Sequence, residues 1–225
     1  MCGRFTLTVS EHELRQFLKL QFDDISVKLD HYVPSYNIAP GQQVTALIYD
    51  GKSYRLGQMP WGIPIKQNKA LNINARSETL MQNTLFKNNI EKRRCIILAD
   101  GFYEWQNVNN QKKPMYIRFK NHAIFGFAGL YHSINQTKDD KTYGCTIITT
   151  EANALLEPIH HRMPVMFGFD GLNHHHDYLI TSKDNALKLM KPLKPDPLIM
   201  YEVTDRVNKA TFNDVEAIKP LSSHA

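Results

Sequence analysis

The sequence predicts an α+β fold: a single domain spanning residues 1–225, with a mostly antiparallel, curved, barrel-like β core flanked by short helices. Three observations carry this. Short apolar runs rich in β-branched and aromatic residues recur along the chain at lengths that suit strands. An Asp50-Gly51 pair between two of them marks a tight hairpin. Helical patterns are few and do not alternate regularly with the strands, which disfavours a doubly wound parallel sheet.

Taken in order, Ser10-Glu11-His12-Glu13 has the form of a capping box, and Leu14, Phe17 and Leu18 follow at helical spacing. Tyr32 to Gln42 is rich in Pro, Asn and Gly and reads as an ordered loop. Val44–Tyr49 and Ser53–Gln58 form the two arms of the Asp50-Gly51 hairpin. Further strands are expected at Cys95–Ala99, Met115–Phe119, Ala123–Leu130, Cys145–Thr149 and Leu198–Val203. The polar run Asn109-Asn110-Gln111-Lys112-Lys113 reads as a hairpin tip. Helices are expected at Thr79–Asn88, Glu151–Leu156 and Ser182–Met190. No linker or internal repeat divides the chain.

The bulk numbers narrow the function classes. With 225 residues, 42% of them hydrophobic and 22% charged, the chain has enough material for a globular core. A formal net charge of +5 is a mild bias toward polyanions. No apolar run approaches a membrane span, and the N-terminus lacks the apolar stretch of a signal peptide. Three widely spaced cysteines argue for a reducing compartment and against a disulfide framework. Cys95 and Cys145 sit in apolar runs and read as inert core residues.

Cys2 has two readings: a residue that merely follows the start codon, or a reactive N-terminus. With Met1 removed, it carries an α-amine and a thiol on neighbouring carbons, so one aldehyde can be attacked twice: the amine condenses, then the thiol closes a thiazolidine. The amine is well tuned for this. It titrates near ~7.7–8.0 against ~10.4 for a lysine, so at about pH 7.5 roughly a third is free base, against about 0.1% of a lysine.

Reactive side chains gather in four segments: Cys2-Gly3-Arg4-Phe5, Asn72 to Thr79, Ala99 to Trp105, and Pro158 to Pro164. Glu104 lies among Phe102, Tyr103 and Trp105, surroundings that can raise a carboxyl pKa and suit it to acid–base work; the plain alternative is a solvated strand residue. His160 can pass protons at neutral pH, or serve only structure. Asn74 can orient a reacting group, or merely cap backbone. Arg4, Arg76 and Arg162 would suit a nucleic-acid backbone if they converged, and are otherwise surface charges. Trp61 and Trp105 are either base-stacking platforms or core. His174-His175-His176 points its side chains in different directions, and no Cys/His spacing matches a zinc site, so no metal is expected.

Together these pieces resemble the SRAP (SOS response-associated peptidase) family, the abasic-site processing proteins of the YedK/HMCES type. The matching stretches are MCGRF at 1–5, YNIAPG at 36–41, WG at 61–62, NARSET at 74–79, RRCIILADGFYEW at 93–105, FAGLY at 127–131, TIITTEAN at 146–153, IHHRMPV at 159–165, VN at 207–208 and IKPL at 218–221. The resemblance implies a covalent thiazolidine crosslink to abasic sites in single-stranded DNA through Cys2. It implies that Asn74 positions the reacting groups, that Glu104 is the acid–base group, and that His160 is the proton donor that opens the sugar and reverses the link. Arg4, Arg76 and Arg162 would hold flanking phosphates. Lyase-type chemistry and self-removal of the residues before Cys2, through Glu104 and Asn74, are implied as well. So are a monomer that needs no cofactor and a place in the bacterial cytoplasm at the nucleoid, or in a eukaryotic nucleus.

The chain departs from the family pattern in three places. Ile65-Lys66-Gln67-Asn68-Lys69 has no aromatic where many members carry a base-wedging tryptophan, leaving Lys66 and Lys69 to make phosphate contacts. Leu98 stands where proline is usual, and Gly168–Tyr178 does not follow the usual pattern. Two rival functions remain open: an N-terminal-nucleophile amidohydrolase of the glutamine amidotransferase kind, and a non-catalytic single-stranded DNA binder.

Overall fold

A computed structural model describes residues 2–65, 70–134, 142–169 and 174–221. The chain opens with β1 (Arg4–Leu7), α1 (Glu11–Gln21), β2 (Ile25–Val27), β3 (Ser35–Ile38), β4 (Gln43–Tyr49), β5 (Tyr54–Pro60), β6 (Ile63–Pro64), β7 (Leu71–Asn72) and β8 (Asn74–Arg76). It continues with α2 (Asn89–Lys92), β9 (Arg94–Ala99), β10 (Gly101–Val108), β11 (Gln111–Phe119), β12 (Phe125–Ser133) and β13 (Tyr143–Glu151). The last third holds β14 (Arg162–Pro164), β15 (Met166–Gly168), α3 (His174–Ile180), α4 (Lys183–Lys188) and β16 (Leu198–Glu202).

Among the described residues, the strands build two large sheets. One is five-stranded in the order β16-β11-β10-β1-β3; the other is nine-stranded along β14-β13-β12-β9-β4-β5-β2, with β15 on β12 and β8 on β13. The pairing is antiparallel except at β2 with β5 and β8 with β13. Neither strand order returns to its start, so the sheets do not close into a barrel. The architecture is the expected α+β one: large, mainly antiparallel sheets with few, short helices.

Local chemistry explains the elements. Ser10 Oγ accepts from the Glu13 backbone N–H at 3.2 Å while the Glu13 carboxylate accepts from the Ser10 N–H at 2.7 Å, which closes the capping box at the head of α1. Leu14 and Leu18 then turn inward, fully buried. In the hairpin of β4 and β5, Gly51 adopts φ +96, a left-handed conformation that favours glycine, and Asp50 accepts from the backbone of Lys52 and Ser53. The β10–β11 hairpin turns on Asn109 and Asn110, with φ of 50 and 64. Two consecutive positive φ values match the twist of the flanking strands. The tip is therefore only these two residues, and Gln111–Lys113 belong to β11.

Two expected helices do not form. Thr79–Asn88 is a chain of separate turns, because Asn83 Oδ1 takes the Leu85 N–H at 2.9 Å and restarts the hydrogen-bond pattern. In 151–156, β13 runs through Glu151 and Asn153 Oδ1 then accepts from Leu155 and Leu156, each at 3.1 Å. The loop expected over Tyr32–Gln42 contains β3, an edge strand that pairs with β1. The Lys66 and Lys69 expectation lies outside the described residues, as does much of the Gly168–Tyr178 departure. Leu98 is buried in β9. No helix among the described residues is long and apolar enough to cross a membrane.

The main core runs between the sheets. Phe5 of β1 packs edge-on against Trp61 and Phe127, with ring centroids 5.1 and 5.6 Å away. Trp61 is fully buried and its indole N–H donates to the Ile73 carbonyl at 3.0 Å, so it is a core residue. Cys95 and Cys145 are buried free thiols. Gly101 marks a close approach: a Cβ there would run into the Tyr116 ring. Replacing Gly101 with alanine is expected to lower unfolding stability by about 1–3 kcal/mol through overpacking, read as a lower urea midpoint at an unchanged m value.

Candidate active site

The site forms where the two sheets meet at the start of β1. Cys2 is fully buried there. The Asn74 side chain, at the head of β8, donates from Nδ2 to the Cys2 carbonyl at 2.9 Å, which ties the second sheet to the first. Asn74 Oδ1 is buried and accepts no hydrogen bond. The Cys2 thiol leans on the Arg4 carbonyl at 3.8 Å. Burial pushes the thiol pKa up, and the nearby Glu104 carboxylate pushes it further. Cys2 is therefore held as a neutral thiol.

Glu104 lies on β10, which pairs with β1 through Arg4 and Tyr103, Phe5 and Phe102, and Thr6 and Gly101. It is 3% exposed, and burial raises its pKa above the ordinary carboxylate value. The register of β1 against β10 is reinforced by Asp100. Its carboxylate accepts from the Thr8 N–H and hydroxyl, both at 2.6 Å, and from the Thr6 hydroxyl at 2.5 Å. Asp100 thereby aligns the strand that carries Cys2 with the strand that carries Glu104.

His160 precedes β14 on the turn that leaves β13. Its Nδ1 accepts the Arg162 backbone N–H at 2.9 Å. The same nitrogen lies 3.2 Å from the Arg162 carbonyl oxygen, so the Arg162 backbone can partner either ring tautomer. Burial lowers the His160 pKa, which favours the neutral ring. His160 and His161 stack with centroids 4.5 Å apart.

The three arginines have different situations. Arg4 donates to Asn37 Oδ1 at 2.8 Å, the Val207 carbonyl at 2.7 Å and the Asn208 carbonyl at 3.1 Å. It straps the C-terminal segment onto β1. Arg162 is buried and grips Glu78 with two bonds, at 2.6 and 3.0 Å, while also donating to the Thr149 carbonyl at 2.7 Å. Arg76 is exposed on β8. Trp105 is half-buried and donates to Asn208 Oδ1 at 2.7 Å. His175 packs against Phe22 and Phe169, and His176 bonds the Tyr54 hydroxyl. Among the described residues no group of three His, Cys, Asp or Glu side chains is placed to hold a metal.

Sequence reasoning missed Asn37, Glu78 and Asp100. All three lie inside the motifs singled out above, so position was legible but role was not. Asn37 donates to the Val207, Lys209 and Phe212 carbonyls, contacts with residues that are remote in the chain.

A family model described as SOS response associated peptidase (SRAP) matches residues 1–210. The chain is 38% identical to "Abasic site processing protein YoaM" of Bacillus subtilis, over 97% of each chain. It is 39% identical to "Abasic site processing protein YoqW" of the same organism, over 97% of this chain and 99% of that one. A Xenopus tropicalis protein named "Abasic site processing protein HMCES" is 27% identical, over 98% of this chain and 78% of its own. In fold, the chain is similar to a crystal structure from Bacteroides thetaiotaomicron, with a TM-score of 0.81 at 20% identity over 98% of this chain and 100% of that one.

The buried carboxyl gives a pH test. A carboxyl whose folded pKa is raised binds its proton more tightly folded than unfolded. Its stabilising contribution is present below the ordinary value of 4.5 and is lost as pH rises through the folded value. Glu104→Gln is therefore expected to be more stable than the parent at neutral pH, with the gap narrowing toward pH 4.5. Urea melts of both chains across that range check it; a gap that widens on acidification refutes it.

Proposed function

The chain belongs to the SRAP family, and we propose that it captures abasic sites in single-stranded DNA as a covalent thiazolidine on Cys2, after Met1 is removed. The observation that carries this reading is the buried Cys2, held through its carbonyl by Asn74 and electrostatically coupled to Glu104. The relatives' names, as abasic site processing proteins, point the same way.

On this reading the freed Cys2 amine attacks the open-chain aldehyde at C1′ of the deoxyribose, and water leaves to give an imine. The Cys2 thiol then adds to the imine carbon. A carbon–sulfur bond forms, the imine π electrons return to nitrogen, and the thiol proton passes to that nitrogen, directly or through Glu104. Aldehyde and aminothiol thus give thiazolidine plus one water. Because the thiol is held neutral, the amine acts first. That order separates this chemistry from the rival amidohydrolase, in which a thiolate must attack an amide at the outset.

Residue roles follow. Asn74 fixes the Cys2 backbone. Neutral His160 donates its ring N–H to the ring oxygen as the sugar opens. Glu104, its pKa raised by burial, takes and returns protons, and by protonating the ring it permits slow release. Loss of the β-phosphate from the imine would be lyase chemistry, and ring closure removes that imine. Glu104 and Asn74 also serve the cleavage that removes residues before Cys2. Arg76 is the first phosphate contact, since Arg4 is engaged with the chain's own carbonyls. We further propose that residues 1–225 work as one domain and a monomer, at DNA in the bacterial cytoplasm or a eukaryotic nucleus. The reaction as written uses no metal or cofactor.

Incubating the chain with an abasic single-stranded oligonucleotide is expected to give a species whose intact mass is the sum of the two less one water. Cys2→Ala, and an uncleavable residue added before Cys2, are each expected to abolish it while leaving the melting curve in place. Ammonia release from glutamine without any adduct would instead establish the amidohydrolase.

A further inference from the structure

We infer that Glu78 occupies the guanidinium fork of Arg162 in the free protein and is the group that a strand phosphate displaces there, so that Glu78 sets the affinity of strand entry. This rests on the single-stranded DNA reading above.

The two partners of this ion pair are unequally held. The Arg162 side chain is 10% exposed, whereas that of Glu78 is 51% exposed. Arg162 is anchored from behind by the Thr149 carbonyl and hydroxyl, at 2.7 and 3.3 Å, and from its backbone by His160. Glu78 follows β8 in a single turn of 3-10 helix. The arginine is the fixed element and the carboxylate the movable one.

A buried guanidinium cannot be left without an anion at acceptable cost. That holds with more force here, because Arg162 Nε is already buried without an acceptor. One anion must therefore fill the fork in every state. A carboxylate and a phosphodiester share the charge and the planar pair of acceptor oxygens that a two-pronged guanidinium bond needs. Exchanging one for the other keeps Arg162 neutralised throughout. The displaced carboxylate is not stranded either: its side chain is already half exposed and turns to water and its cations. Only an anionic ligand can make this exchange, and it occurs beside the backbone N–H that orients His160.

The test uses the full chain and an unmodified single-stranded oligonucleotide, with fluorescence anisotropy over a salt series. Glu78→Gln is expected to tighten binding about fivefold, the scale of a half-exposed ion pair. Its salt slope should be steeper by up to about 0.7, because no freed carboxylate then recruits a cation. In an Arg162→Ala background the same substitution should change nothing. If Glu78→Gln melts too low to assay, Glu78→Asp keeps the charge on a shorter arm, and it too should bind more tightly than the parent. Unchanged or weaker binding by a folded Glu78 variant overturns the inference. A parent chain that binds the strand yet forms no adduct with its abasic form overturns the covalent reading alone. Absence of strand binding in both parent and variant overturns both.

Discussion

The site depends on the burial of the first strand between the two sheets. Chain ends ordinarily fray. Here the second residue is fully enclosed, and several residues after it are tied down. Phe5 is wedged edge-on between Trp61 and Phe127. Arg4 reaches the carbonyls of Val207 and Asn208, and Thr6 and Thr8 are held by Asp100. These contacts recruit the C-terminal segment, β10 and the core at once, so the position of Cys2 is a property of the whole fold.

The same burial sets the protonation states. Removing a thiol and a carboxyl from water favours their neutral forms, and both Cys2 and Glu104 shift that way. The Glu104 carboxylate also suppresses ionisation of the Cys2 thiol, because two anions in one low-dielectric pocket repel. His160 shifts toward neutrality as well, for the same reason of burial. The pocket is therefore rich in groups held in their neutral forms: Cys2 and Glu104 keep their protons more tightly than in water, and His160 gives its extra proton up more readily. Such a set suits a sequence of proton transfers around an aldehyde better than it suits attack by a preformed thiolate.

What the sequence made legible follows from how local the cause is. The capping box before Leu14 and the Asp50-Gly51 turn are decided by neighbours in the chain, and both form as read. Strands such as β9 and β13 were legible because their apolar runs are nearly continuous, as burial on both faces requires. The helices expected near Thr79–Asn88 and Glu151–Leu156 failed because Asn83 and Asn153 bond their own backbone, which composition does not reveal. In the site, Cys2, Asn74 and Glu104 stood out by residue type and motif. Asn37, Glu78 and Asp100 did not, because each acts on a partner far away in the chain. A three-histidine run stood out for the wrong reason: His175 and His176 pack among aromatic rings.

The arginines show why charge counts alone say little about nucleic-acid binding. The chain carries a net +5, yet two of the three motif arginines are internally satisfied, Arg4 by carbonyls and Arg162 by a carboxylate. Arg4 keeps its charge but has its donors taken up, and Arg162 is neutralised by Glu78, so the first contact with a strand falls to exposed groups such as Arg76. An internally bonded arginine still contributes shape: its donors are already aimed, and a ligand that replaces the internal partner inherits that aim without ordering a free side chain. On the proposed chemistry this is a workable division. Covalent capture does not need tight reversible binding, only residence long enough for an amine to find an aldehyde. Modest affinity, with the reacting atoms held rigidly by the fold, meets that need and leaves undamaged strands free to depart.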